Sequence, residues 1–445
     1  MYPTNQIILG GDSMFNPMDD IDIQIQKMEA YRQRLKQLQN PQPEKLIWDE
    51  IDAEITVPEL VKAKNLCPHQ DYVYFSYPTQ SEKEMIKNYQ EEVKLLIDEL
   101  ISNVDFINLI RNHPYFKDSD VYIEEILENP KFYSSMLIYL NSAGIVVTKE
   151  HVRVLGHTKE IPSLDARWME VLLQNILFDN RDTFKDIEFL NLIEKRLHEM
   201  GAIEKKEVLL TNNSNLQKLF VNSISKLDSI VEIVKSEYSN MSNKLRMVIL
   251  TDYLRKEYLE MDNPDIKTLG VFPILIKLLN SEVNINMAVL TGSIFMIPVS
   301  LKDRLISEAK ALGIAEDKIS FEELKYIDSY VIVKAVGKLK SKLMSAISKL
   351  FSLGEINIII GTKSLLGEGW DEQSINSLVL ASFVGSYVLS NQMRGRAIRV
   401  SSDPMKSANV WHLVCVTDIN RSLIDNADYD TMKRRFNSFV GIGYN

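Results

Sequence analysis

The chain has 445 residues, 45% hydrophobic and 25% charged, an ordinary globular composition whose length calls for two or three domains. A formal net charge of -10 argues against a surface coated in nucleic-acid-binding charge, while leaving room for a local basic groove. There is no run of about 18 apolar residues to span a membrane, and Met1-Tyr-Pro-Thr-Asn-Gln lacks the basic and apolar regions of a signal peptide. Two cysteines, Cys67 and Cys415, cannot make a disulfide framework, so a reducing, cytoplasmic setting is expected.

In chain order, residues 1–20 read as a loose tail, and Ile21 to Gln39 as an amphipathic helix stopped by Pro41 and Pro43. Residues 58–77 read as a connector with one strand. From 80 to 240 the periodicity is helical: Glu82–Ile101, Ser119–Leu127, Ser134–Ala143, Leu164–Phe178 and Asp186–Met200, the last closed by Gly201 as a C-cap. A short strand at Lys205–Thr211 and a further helix over Asn212–Glu237 complete that region. From 241 to 445 apolar, β-branched runs alternate with amphipathic segments such as Gly337–Phe351. The runs are Met247–Thr251, Met287–Thr291, Tyr330–Val333, Ile356–Ile360, Ser377–Leu380 and Val410–Val416. Strands apolar throughout and separated by helices predict a buried parallel sheet with right-handed crossovers. The expected division is a tail and connector (1–79), a helical domain (80–240) and an α/β domain (241–445).

Two strings in the α/β region carry chemistry. Gly361-Thr-Lys-Ser-Leu-Leu-Gly-Glu-Gly-Trp-Asp371 starts at a strand end, where open parallel sheets bind ligands. It offers backbone amides, the Thr362 hydroxyl, the Lys363 amine, a tight turn at Gly367 and Gly369, and the acceptor Asp371. Gln392-Met-Arg-Gly-Arg-Ala-Ile-Arg399 follows the next strand, and its spacing predicts Arg396 and Arg399 on one helix face. Two guanidinium forks aimed at one point suit a polyphosphate.

These residues resemble a family. The first string is similar to motif V of superfamily 2 helicases and the second to motif VI. Arg246-Met-Val-Ile-Leu-Thr-Asp252 resembles the motif IV strand, and Val289-Leu-Thr-Gly-Ser293 the strand after it. Order and spacing resemble the second RecA-like domain of bacterial DEAD/DEAH-type helicases over roughly residues 225–420. The resemblance implies a RecA-like α/β parallel sheet and ATP, with Mg²⁺, held between two such domains. Arg396 and Arg399 would be arginine fingers, groups worth about 10³–10⁵ in rate in related phosphoryl transfer. Gln392, Gly367, Gly369 and Asp371 would contact the nucleotide. Thr251, Thr291, Thr362 and Lys363 would touch a DNA or RNA backbone, which positions a strand without reading its sequence.

The departure from that pattern is as informative as the match. A P-loop, G-x-x-x-x-G-K-[ST], is needed to cradle phosphates and hold Mg²⁺, and no such string occurs. Asp49-Glu-Ile-Asp52 mimics a D-E-x-D box but has only 48 residues before it, and reads more simply as an acidic turn. The expectation is therefore a helicase portion inactive alone, completed by a P-loop domain in cis or trans. The alternative is a non-catalytic RecA-like interaction or nucleic-acid-binding module. Simpler readings stand beside the sharp ones. Arg394, Arg396 and Arg399 could form a salt-bridged helix face, and Thr251 and Thr291 could make strand-end hydrogen bonds. His412 reads as a satisfied interior or edge histidine, and Lys338, Lys340 and Lys342 as a solvated face before a phosphate patch. Cys67-Pro-His69 lacks the second pair that zinc requires.

Overall fold

The computed structural model describes residues 57–156, 161–184, 187–259, 261, 266–335, 337, 339–363, 370, 372–382, 387–417 and 427–436. The readings made above for residues 1–56 lie outside them. The described chain forms two compact units, one on Met85–Asn215 and the other on Leu216–Arg421 with flanking segments on either side in sequence.

The first unit is largely α-helical. Its core is rich in aromatic rings, with Phe106, Phe132, Tyr133 and Tyr139 all fully buried. The Tyr139 hydroxyl donates to the Leu100 carbonyl at 2.7 Å, as a buried phenol must. Helix Ile187–Glu199 ends where the sequence placed its stop, since Gly201 has φ +67° and the Ala202 amide reaches back to the Leu197 carbonyl. The short strand expected at 205–211 is instead a hairpin, β2 (Ile203–Glu204) with β3 (Glu207–Val208). Lys205 and Lys206 both have positive φ, as a two-residue hairpin turn of this hand demands.

The second unit holds a nine-stranded sheet. In chain order its strands are β1 (His69–Ser76), β4 (Met247–Thr251), β5 (Met287–Leu290), β6 (Phe295–Pro298), β7 (Ile319–Glu323), β8 (Tyr330–Ala335), β9 (Ile358–Thr362), β10 (Ser377–Leu380) and β11 (Ala408–Cys415). They lie side by side as β1-β11-β10-β4-β9-β5-β6-β8-β7. The first six are parallel and the last three antiparallel. The expectation of a wholly parallel sheet fails at that edge, and Tyr330–Val333 belongs to an antiparallel strand. The cause is local: only Thr291–Ile294 separate β5 from β6, too few residues for a crossover, so the chain turns back as a hairpin.

Alternation along the central strands explains their apolar runs. Val248 and Leu250 of β4 and Leu378 and Leu380 of β10 join one core, while Met247, Ile249 and Val379 join the other. Helices Lys302–Ala311, Leu339–Leu353 and Tyr387–Ala397 supply Leu305, Leu343, Leu350 and Met393 to the first. Helices Ser225–Met241 and Val271–Leu279 supply Ile230, Val234, Phe272 and Leu275 to the second. With both faces covered, neither strand face can be polar. A mostly parallel sheet with helices on both faces fits the RecA-like α/β fold expected. The single helix expected over Asn212–Glu237 is two, Ser214–Val221 and Ser225–Met241. Glu82 makes the break, taking the Ser223 hydroxyl at 2.9 Å and the Ile224 amide at 3.1 Å.

Candidate nucleotide and nucleic-acid site

The parallel strands end together, and most of the described residues expected to bind lie at those ends. Thr251 and Thr362 close β4 and β9 in register. The Lys363 amide donates to the Thr251 carbonyl at 3.2 Å, and its ammonium pairs with Asp252. The Asp252 amide donates to the Ser382 hydroxyl at 2.7 Å, joining the end of β10 to the same group. Thr251 itself is fully buried, and its hydroxyl has no hydrogen-bond partner. Thr291 behaves differently. Its Oγ1 accepts from the Ile294 amide at 2.9 Å and donates to the Ile294 carbonyl at 3.0 Å, closing the β5–β6 turn. The simpler reading therefore describes where the Thr291 hydroxyl goes.

The arginine string does not lie on one helix face. Helix Tyr387–Ala397 carries Gln392, Arg394 and Arg396, with Gln392 exposed. The helix stops before Arg399, which sits in an isolated antiparallel bridge to Leu66. The Cys67 amide donates to the Ile398 carbonyl at 2.8 Å, and those contacts with a segment distant in sequence stop the helix two residues short of Arg399. The buried Lys406 ammonium reinforces the break, donating to the Arg399 carbonyl at 2.7 Å and the Gln373 carbonyl at 2.6 Å. Burial lowers its pKa below the usual lysine range.

Within the string, one arginine is structural in its contacts. Arg394 grips Asp71 of β1, with Nε 2.9 Å from Oδ1 and Nη2 2.5 Å from Oδ2. His412 of β11 holds the same carboxylate at 3.0 Å, and His69 meets Arg394 at 2.9 Å. Burial pushes the Asp71 carboxyl upward, but hydrogen bonds and charge from His412 and Arg394 outweigh it and hold the pKa at about 2. Burial lowers the His69 pKa. This clasp ties the helix to the sheet edge. Arg396 is half-buried and gives Nη1 to the carbonyl of Trp370. Trp370 is buried, with its indole nitrogen on the Ser348 hydroxyl at 2.5 Å. Gly367, Gly369 and Asp371 lie outside the described residues.

Sequence reasoning read Arg394 as one of three equivalent arginines and missed Asp71 and Lys406. It placed His412 inside the sheet, where the structure shows it satisfied. Of the lysines after Gly337, Lys342 is exposed, its ammonium on the Leu312 carbonyl at 3.0 Å, Lys340 is half-buried with its ammonium on the Gly292 carbonyl, and Lys338 lies outside the described residues. An open cavity of about 640 Å³ lies among Leu259, Ser293, Phe295, Lys334 and Lys340, and none of the expected site residues lines it.

No protein-family model matches the chain. No curated protein matches it either. Among solved structures, it is similar to the C-terminal part of the Fun30 ATPase domain at 13% identity and a TM-score of 0.30, over 82% of this chain and 93% of that one. It is also similar to the Pyrococcus furiosus Hef helicase domain at 13% identity and a TM-score of 0.32, over 84% of this chain and 59% of that one. At those scores neither similarity carries an argument about function. No helix among the described residues is long and apolar enough to cross a membrane.

Proposed function

We propose that the sheet unit is the second motor domain of a superfamily 2 helicase-like ATPase, which supplies Arg396 and Arg399 to an ATP held by a P-loop domain in cis or in trans. The supporting observation is the setting of Arg396. It is half-buried near the end of a helix clasped to the sheet by Arg394 and Asp71, and its guanidinium rests on the carbonyl of the buried Trp370. An arginine so placed needs little reorganisation to meet developing charge. Thr362, Lys363 and the ends of β4 and β5 would form part of a DNA or RNA track.

The donor set fits contact with a polyphosphate, since a guanidinium keeps its charge and matches phosphate oxygens. It does not fit a complete Mg²⁺–ATP site: the sequence has no P-loop string, and among the described residues no three His, Cys, Asp or Glu side chains gather to hold a metal ion. Bound nucleotide would supply the phosphoryl group. Arg396 and Arg399 would hold charge beside it, and Gln392 would stand exposed on the same helix.

The test is ATP hydrolysis by the purified chain, alone and mixed with a P-loop domain. Alone it should stay at background. With the partner, Arg396→Ala should lower the rate by about 10³ or more. Hydrolysis by the chain alone that disappears in Arg396→Ala would sink the idea of a half-site. The second reading, a non-catalytic module, draws on the same bond, because a guanidinium that anchors the Trp370 carbonyl has a structural role without a nucleotide. An Arg396→Ala variant that keeps full hydrolysis beside the P-loop domain would favour it.

A further inference from the structure

The loop after β4 carries a device that none of the motifs accounts for. Tyr253 stands two residues past the carboxyl end of a central strand and keeps 40% of its surface exposed. Arg255 lays its guanidinium over that ring, 4.7 Å from the centroid. Its backbone takes φ +59° to do so, a left-handed conformation uncommon for a long side chain. Gly270 makes the room: a Cβ there would stand 2.7 Å from Arg255 Cγ and 3.1 Å from the Tyr253 carbonyl oxygen. The Arg255 guanidinium is loosely held. Its Nε is buried with no hydrogen-bond partner, its Nη2 meets the Thr268 hydroxyl at a long 3.4 Å, and its Nη1 pairs with Glu257 at 3.9 Å. A strained backbone and an obligatory glycine together hold a cation against a ring that solvent reaches. Strain of this kind concentrates at ligand sites.

We propose that Tyr253 and Arg255 form a stacking platform for a nucleobase. A planar heteroaromatic ring gains from stacking on tyrosine, and a guanidinium held against the tyrosine adds cation–π attraction. The carboxyl end of a parallel strand is where such sheets bind ligands. Lys363, paired with Asp252 next to Tyr253 in sequence, adds a cation at the same strand ends. The base belongs either to a single strand or to a free nucleotide, and the stacking chemistry is the same. The proposal rests on the nucleotide and nucleic-acid reading above.

The experiment measures binding to the purified chain of a labelled thymidine oligonucleotide, the same backbone made abasic, and ATP, at low salt. Tyr253→Ala should weaken one or both base-bearing ligands by about fivefold to a hundredfold and leave the abasic strand unchanged, while Tyr253→Phe keeps binding. Loss on the oligonucleotide assigns the base to a strand, and loss on ATP assigns it to a nucleotide. Circular dichroism melting checks that Tyr253→Ala still folds, and Arg255→Ala should weaken the same ligand with the ring intact. Tyr253→Ala binding every ligand as the unaltered chain does would overturn the platform and leave the motor-domain reading standing. An unaltered chain that binds neither oligonucleotide nor ATP, with the P-loop domain present as well as alone, would overturn both.

Discussion

The helical unit and the sheet unit bury their polar groups by opposite means. In the helical unit the buried groups are neutral and close local structure. His113 caps the turn at Tyr115 through Nδ1 at 3.2 Å, and Asn175 accepts from Asn129 at 2.8 Å and donates to the Val171 carbonyl at 2.8 Å. In the sheet unit charged pairs join segments far apart in sequence: Lys226 to Asp428, which is fully buried, and the partly exposed pairs Arg394 to Asp71 and Lys363 to Asp252. Neutral caps stabilise an element where it forms. Buried ion pairs fix which strand and which helix meet, at the risk of a stranded charge if either partner is lost.

The sharpest way to break this contrast is at Lys226, where both side chains of the pair are fully buried and 2.7 Å apart. The same Asp428 oxygen also takes the Cys415 amide at 2.8 Å, so the pair ties helix Ala427–Phe436 to the end of β11. Lys226→Ala should destabilise the sheet unit by about 3–5 kcal/mol, because it leaves Asp428 buried and unpaired. Replacing both, Lys226→Met with Asp428→Leu, should recover much of that loss. Urea unfolding followed at Trp370 and Trp411, which report on this unit, checks it. A single substitution costing under 1 kcal/mol would mean the pair is not buried in solution.

Acid should separate the two units next. Burial lowers the His113 pKa from an ordinary 6.5 to about 4, so the unfolded chain binds a proton more readily than the folded one. The neutral ring's contribution is intact above pH 6.5 and is lost as pH falls from there towards 4, by about 3 kcal/mol at about 1.4 kcal/mol per pH unit. Asp71 acts lower. Its pKa drops from 3.8 to about 2, so its contribution of about 2 kcal/mol survives to about pH 4 and is lost only below that. The helical unit should weaken as pH falls from about 6.5, read at Trp168. The sheet unit loses stability in the same direction at His69, whose pKa burial also lowers, and loses the Asp71 contribution only in stronger acid. His113→Asn should remove most of the helical unit's pH dependence and leave that of the sheet unit unchanged; a helical unit as pH-sensitive as before in His113→Asn would contradict the assignment.

The limits of the sequence follow the same divide. Several helices of the helical unit were legible because periodicity and the Gly201 stop are local signals, while the short helices Val104–Arg111 and Pro114–Lys117 were not read. The central strands were legible too, since burial on both faces leaves a continuous apolar run. The antiparallel strands β6 and β7 were missed because β6 is short and β7 carries exposed glutamates. Hidden most completely was the clasp: Asp71 lies 323 residues before Arg394, and no local pattern can say which of three arginines in one string will meet it. The same distance effect ended the arginine helix early, through Leu66 and Cys67.

The smallest effect tests the strand ends, where both units' habits meet in two threonines. Thr291 uses its hydroxyl locally, like a residue of the helical unit, and Thr291→Val should cost about 1 kcal/mol by opening the turn to β6. Thr251 has a fully buried hydroxyl with no partner. Thr251→Val keeps the shape and removes an unsatisfied group, so it should be neutral or slightly stabilising. Thermal melting of the two variants side by side gives the difference. If Thr251→Val instead destabilises as much as Thr291→Val, the hydroxyl is bonded in solution, through an ordered water or a shift of the loop at Asp252. If it is stable but binds single-stranded DNA or RNA more weakly, an unpaired hydroxyl is being kept at a cost in stability because a ligand satisfies it.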